Sequence, residues 1–272
     1  MSRELETAVK AAETAGAITM QKLGDLSSGE IEAKESKDFV TAVDRAAEAA
    51  ISSVITASFP HDSLLCEEGT LAEGRSGRTW IVDPLDGTLN FIHSFPVFAI
   101  SIALRDETGA LRCGVVYQPV LKELFSAEKG CGAFLNGSPI QVSARSDKES
   151  FLIATGIPFK EYHYLDAYVA MLKDVVHDSA GIRRAGAAAI DLAYTACGRF
   201  DGFWEYSLFP WDFAAGVLLI REAGGVVSDF QGNADVFAKQ SIIAGNATTH
   251  ALLLVKARRH FAEKQIPSDT GR

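Results

Sequence analysis

Residues 80–88 read Trp-Ile-Val-Asp-Pro-Leu-Asp-Gly-Thr, an apolar run that passes directly into a turn carrying two acids. Trp80, Ile81 and Val82 form a buried strand, and that strand delivers Asp83. Pro84 presets φ for the second position of a β-turn, a geometry that brings its first and fourth residues, Asp83 and Asp86, within about 7 Å at their Cα atoms. The Leu85 carbonyl in such a turn has no ladder to join and is free to face whatever the carboxylates hold. Two unit charges about 4 Å apart repel by roughly 4 kcal/mol at an effective dielectric near 20, which favours a protonated pair or a bound cation. All-oxygen donors of this kind suit Mg²⁺. An Asx or proline turn with two solvated acids is the plainer reading of the same residues.

The rest of the chain shows how such a strand is covered. Leu5, Val9 and Ala12 open a helix-period stripe over 5–23, and a second helix spans 42–58 with Val43, Ala47, Ala50 and Val54 on one face. Thr41 is its N-cap, and Asp44 three residues on fits the spacing of a capping box. Apolar and alternating runs at 97–104, 112–117 and 123–127, separated by Gly109, Pro119 and Gly130, have the rhythm of antiparallel strands. Gly130-Cys131-Gly132 and Asn136-Gly137 lie between strand-like runs with no following helix, so they read as hairpin turns and not as phosphate cradles.

Beyond a polar stretch at 143–149 the pattern changes. Strands at 151–155, near 182, at 226–229 and at 241–244 alternate with helices at 164–176, 187–197, 212–222 and 248–261. The expected organisation is therefore an N-terminal α+β lobe, 1–145, carrying the carboxylate turn, and a C-terminal α/β lobe, 146–272. The polar tail after Pro267 is expected to fray.

Composition narrows the function classes. Lys and Arg number 26 against 35 Asp and Glu, a net charge of −9, and this acidic balance argues against binding nucleic acid. Cys66, Cys113, Cys131 and Cys197 contain no CxxC pair and read as free buried thiols. The first ten residues are charged and no apolar run approaches a membrane span, so a cytoplasmic protein without membrane contact is expected.

Further acids join the turn. Glu67-Glu68 follows the apolar pair Leu64-Leu65, and Asp212 stands at the mouth of an apolar helix, where an acid also stabilises a helix start by ~1 kcal/mol without any ligand. Gly87 and Thr88 lead into a short helix over 89–93 whose amides would face an anion.

With these residues assembled, the sequence resembles the inositol monophosphatase family of Mg²⁺-dependent, lithium-sensitive phosphatases. The resemblance rests on Asp38-Phe39-Val40-Thr41 with Asp44, Glu67-Glu68, residues 80–95, 130–136, 183–191, and 203–225 with Trp211-Asp212. It implies an α/β fold of alternating α-β-α-β-α layers and two or three Mg²⁺ ions. By the resemblance, Glu67, Asp83 and the Leu85 carbonyl hold the first ion, and Asp83, Asp86 and Asp212 hold the second. Glu67 also reaches a third. Thr88, oriented by Asp44, helps activate the attacking water, and the Gly87 and Thr88 backbone holds the phosphate. Glu205 contacts sugar hydroxyls, although as a bare sequence feature it reads as a surface acid in an aromatic stretch. Ala188 lines the same pocket, and Ala187 stands where many relatives carry Ser or Thr.

The expected reaction is hydrolysis of myo-inositol 1-phosphate by a homodimer. Related substrates are 3′-phosphoadenosine 5′-phosphate, histidinol phosphate and fructose 1,6-bisphosphate; Leu89-Asn90 after Thr88 resembles the inositol branch, since the nucleotide and histidinol branches place Lys there. A partner-binding scaffold is the alternative from another class. The loop 34–37 is in register with the family's mobile active-site loop and leaves open whether Lys34 or Lys37 faces the site.

Overall fold

The computed structural model describes residues 1–35, 38–69, 71–159 and 162–261. Lys37, the Lys34 side chain and the tail beyond 261 lie outside the described residues, and with them the question of which lysine faces the site.

Two sheets and three helical layers alternate. The first sheet has eight strands in the order β10-β9-β8-β7-β6-β5-β3-β4: β3 (Ser63–Cys66), β4 (Leu71–Ala72), β5 (Thr79–Asp86), β6 (Ala99–Arg105), β7 (Leu111–Gln118), β8 (Glu123–Glu128), β9 (Gly132–Leu135) and β10 (Ser138–Ile140). Only β3 and β5 run parallel; the other neighbours are antiparallel. The second sheet, β12-β11-β13-β15-β14, comprises β11 (Leu152–Thr155), β12 (Gly181–Arg183), β13 (Gly202–Tyr206), β14 (Val226–Ser228) and β15 (Ser241–Gly245). A separate hairpin pairs β1 (Ile31–Glu35) with β2 (Asp38–Thr41).

Helices α1 (Arg3–Lys22) and α2 (Ala42–Ser58) cover the outer face of the first sheet, burying Ala8, Ala12, Ala47 and Ile51 against Trp80, Val82 and Ile102. After the short α3 (Thr88–Ile92), α4 (Leu165–His177) and α7 (Ala247–His260) cover the outer face of the second sheet, where Tyr168, Met171 and Leu253 meet Ile153, Trp204 and Ile243. Between the sheets lie α5 (Ala188–Ala196) and α6 (Pro210–Glu222). These two are apolar nearly all round because both of their sides face a sheet. Their cluster joins Ile81, Ala103 and Val116 of the first sheet to Phe203, Ile242 and Ala244 of the second, and each large side chain fully buried there contributes on the order of 1.5–3 kcal/mol. The layers are thus α-β-α-β-α, and one core crosses the polar segment near 145.

Three features differ from expectation. Residues 203–206 are not a surface run but the central strand β13, with Phe203 and Trp204 wholly buried. Their aromatic composition suits a strand packed on both faces as well as it suits an exposed patch, and only the neighbouring strands decide between the two. The apolar pair Leu64-Leu65 before Glu67 lies in a strand, β3, that the sequence pattern had not assigned. Of the four free cysteines, Cys66 and Cys113 are buried, but Cys131 is exposed at the β8–β9 hairpin turn. Among the described residues no helix is long and apolar enough to cross a membrane.

Candidate active site

The acids of the 80–88 run emerge where β5 breaks its ladder. β5 pairs with β6 as far as Asp83 opposite Ser101, and the register then shifts so that Asp86 stands opposite Ala99. The expected turn is therefore a bulge inside a continuous strand. Asp83 Oδ1 accepts the Leu85 amide at 2.9 Å, which closes an Asx-type loop and fixes the bulge. The Leu85 carbonyl lies in the bulge, where the ladder skips from Asp83 to Asp86, and the Thr88 hydroxyl, 3.1 Å away, can donate to it. This contact exists because Gly87 adopts φ +92° and starts α3 at once, folding Thr88 back over Leu85.

Three acids meet around Asp83. Burial pushes the Asp83 carboxyl well above its ordinary value, and Glu67, Asp86 and Asp212 each push it further; Glu67 also shares a hydrogen bond with it. The chain supplies Glu67 from the end of β3, whose amide bonds to the Val82 carbonyl at 3.1 Å and so extends the parallel pairing beside Asp83. It supplies Asp212 from the first turn of α6, where the carboxylate accepts the Phe209 amide at 2.7 Å. Ser101, directly across the ladder from Asp83, donates its hydroxyl to the Trp211 carbonyl at 3.0 Å and ties that helix start to β6. The helix-start role of Asp212 and its place among the acids coexist.

Asp86 and Glu205 extend the cluster. Both residues keep part of their surface open to solvent, yet their carboxyls are enclosed, and burial pushes each up to about 8. Glu205 and Glu67 add to the shift at Asp86, while the Ala189 and Ala188 amides oppose it. The Ala189 amide donates to Asp86 Oδ2 at 2.8 Å, so Asp86 caps α5, a helix with no side-chain cap of its own. The Ala188 amide thus lies beside Asp86. At Glu205, Asp212 adds to the shift and Arg184 opposes it.

Thr88 and Asp44 are joined directly: the hydroxyl donates to Asp44 Oδ1 at 3.0 Å. Asp44 is wholly buried, and its other oxygen accepts the Thr41 amide at 2.8 Å as the expected capping box. Burial raises its carboxyl, with the Thr41 and Thr88 donors working against that.

The donors here are hard oxygens, and after burial the largest influences on Asp83 are all acidic. Such a set fits a divalent cation, which would relieve the repulsion that the protein itself leaves in place. Among the described residues no group of three or more His, Cys, Asp or Glu side chains is already shaped to hold a metal ion. The acids instead contact backbone amides and one another, and a cation would draw them together.

Sequence reading missed four residues here. Ser101 is one. Asp191 on α5 is buried, its Oδ1 has no hydrogen-bond partner, and burial together with Glu205 and Asp86 pushes its carboxyl well above normal. Arg184, with its guanidinium 5.0 Å from the centre of the Phe159 ring, is the positive influence on Glu205 and Asp191. Gly156 follows β11 and lies beside Glu205. Asp191 carried a signal, a lone acid on an otherwise apolar helix; the other three carried none.

A layered α/β fold with a buried carboxylate cluster at a strand bulge defines a class, and the match to known proteins is of that class. The model of the inositol monophosphatase family matches residues 1–262, and the chain belongs to that family. It is 45% identical over 267 residues to the Nus factor SuhB of Pseudomonas aeruginosa, an alignment covering 96% of this chain and 98% of that one. Among solved structures it is similar to the extragenic suppressor protein SuhB of Bartonella henselae, at 42% identity and a TM-score of 0.92 over 95% of this chain and 99% of that one. It is also similar to the Thermotoga maritima inositol monophosphatase, at 34% identity and a TM-score of 0.87 over 96% and 99%. The relatives named Nus factors give no support to the expectation that nucleic acid is excluded from the partners.

Proposed function

We propose that the protein is a Mg²⁺-dependent phosphatase that hydrolyses a phosphate monoester of inositol, myo-inositol 1-phosphate, to inositol and phosphate. One observation carries this reading: Asp83 is surrounded by Glu67, Asp86 and Asp212 within the same fold that holds the Thr88 hydroxyl on Asp44. Glu67, Asp83 and the Leu85 carbonyl would hold one ion, Asp83, Asp86 and Asp212 a second, and Glu67 would reach a third. When bound, Mg²⁺ supplies positive charge that makes water a better nucleophile and neutralises charge on the phosphoryl and leaving oxygens.

The chain's own groups do the positioning. Thr88 directs its single proton toward Asp44 or Leu85, which leaves its lone pairs to accept a hydrogen bond from the attacking water. Asp44, held in low dielectric, is oriented to take up the proton shifted through Thr88. The Gly87 and Thr88 amides would hold the phosphate oxygens. Glu205 would accept hydroxyl protons of the polyol against the small wall of Ala188, and Ala187 offers no hydroxyl of its own. Lithium sensitivity, a homodimer and a cytoplasmic location belong to the same reading.

The test is phosphate release with Mg²⁺ from myo-inositol 1-phosphate, compared with histidinol phosphate, 3′-phosphoadenosine 5′-phosphate and fructose 1,6-bisphosphate. Inositol phosphate is expected to be turned over fastest. Release from none of them refutes the phosphatase reading; a faster rate on another substrate reassigns it within the same chemistry.

A second reading is favoured by the 45% identity to a Nus factor: the protein acts as well through a macromolecular partner, and its phosphatase site is retained beside that role. A cell phenotype of a deletion strain that a Thr88→Ala copy restores in full would support it.

A further inference from the structure

β11 and β13 run parallel, with Thr155 opposite Trp204, so the next positions, 156 and 205, are neighbours across the ladder. Cross-strand side chains ordinarily stand side by side, about 5 Å apart. Here one has taken the other's place. A Cβ added to Gly156 would lie 1.7 Å from Glu205 Oε1 and 1.9 Å from Cδ, so the carboxylate occupies the volume that any side chain at 156 would fill. Gly156 is buried and its φ is not positive, so its backbone does not need glycine; the Glu205 carboxylate does.

Two charges of opposite sign act on that carboxylate. Asp212 repels it and Arg184 attracts it. Arg184 is itself held over Phe159, three residues beyond Gly156 on the same loop.

We propose that Gly156 is a positioning residue that determines where Glu205 presents its carboxylate, and thereby the preference for polyol phosphates over phosphate esters lacking hydroxyls. The proposal rests on the reading of Glu205 as the polyol contact. An alanine at 156 is compatible with the backbone, and the three atoms nearest its Cβ all belong to the end of the Glu205 side chain, so the chain is expected to fold with Glu205 displaced.

The experiment is Gly156→Ala, examined by crystallography and by kinetics on two substrates, myo-inositol 1-phosphate and p-nitrophenyl phosphate. The Glu205 carboxylate is expected to leave the volume at 156 while β11 and β13 stay in place. KM for inositol 1-phosphate is expected to rise roughly tenfold with kcat little changed, the scale of one misplaced polar contact, while KM for p-nitrophenyl phosphate stays constant. In a Glu205→Ala background the same glycine change should add nothing further. An unmoved Glu205, an equal effect on both substrates, or an effect that persists without Glu205 overturns the proposal. If the wild-type protein releases no phosphate from inositol 1-phosphate, the substrate reading fails, and the position of Glu205 in the variant structure still decides the role of Gly156.

Discussion

The Thr88 hydroxyl donates to Asp44 Oδ1 at 3.0 Å across 44 residues of sequence, while the other oxygen of the same carboxylate caps α2 through the Thr41 amide at 2.8 Å. One buried acid therefore has both a local duty and a distant one, and the local duty fixes it for the distant one. The two can be separated. Thr88→Ala should lower kcat by ~10²–10⁴-fold, the range for a lost proton-transfer group, with the melting temperature almost unchanged. Asp44→Asn should lower kcat and also destabilise α2 by about 1 kcal/mol, because the amide has one accepting atom where the carboxylate has two and lacks the negative charge that favours a helix start. Steady-state rates and thermal melts on both variants check this; a Thr88→Ala enzyme of normal rate removes Thr88 from the mechanism.

Asp212 lies in the first turn of α6 and accepts the Phe209 amide. Asp212→Asn keeps a side-chain oxygen for that bond but removes a charge from the cluster around Asp83. Turnover should be abolished while the fold is retained, and Mg²⁺ titration by calorimetry should show weaker binding. Unchanged turnover would place Asp212 outside the site.

The pH dependence follows from the raised carboxyls of Asp86 and Glu205, at about 8, and of Asp83. Unfolded carboxylates lose their protons near pH 4, so between roughly pH 4 and 8 the metal-free folded state binds more protons than the unfolded state. Stability is then highest at the acidic end of that window and falls as pH rises through it. Melts without metal should show this negative slope, and saturating Mg²⁺, which favours the charged forms, should flatten or reverse it. Calorimetry in two buffers of different ionisation enthalpy should detect protons released on Mg²⁺ addition at pH 7. A metal-free melting temperature that rises across the window contradicts the assignment.

Asp62 anchors the start of the strand that carries Asp83. Its buried carboxylate accepts the Trp80 indole N–H at 3.0 Å and Arg78 Nε at 3.1 Å. Asp62→Ala leaves the buried Trp80 indole donor without its acceptor and Arg78 with Glu4 as its remaining carboxylate partner, and should cost on the order of 2 kcal/mol in urea unfolding. Asp62→Asn, which can still accept one of these bonds, should cost less. A loss below ~0.5 kcal/mol for alanine would show that Trp80 finds another partner.

Much of the fold was legible because its signals are short-range. The capping box of Thr41 and Asp44, the apolar faces of α1 and α2, the hairpin turns at 130–132 and 136–137, and the strand 80–83 each depend on residues a few positions apart, where backbone geometry alone sets which side chains meet. The strand around Glu205 was not legible, since Phe203-Trp204-Glu205-Tyr206 has no alternation to reveal that both faces are covered. The contact of the Thr88 hydroxyl with the Leu85 carbonyl was not legible for a related reason: it forms only after Gly87 has turned the chain.

By itself, then, the sequence determined the helices and those strands whose signals are short-range, and which residue types carry charge. The tertiary structure decided which charges face one another. Asp86 meets the α5 amides across 103 residues, Ser101 reaches Trp211 across 110, and the Glu205 carboxylate rests in the space left by Gly156. These contacts arise from the stacking of two sheets around one helical layer, and no local pattern encodes them, because the free energy that forms them comes from burying the core and not from the residues that touch.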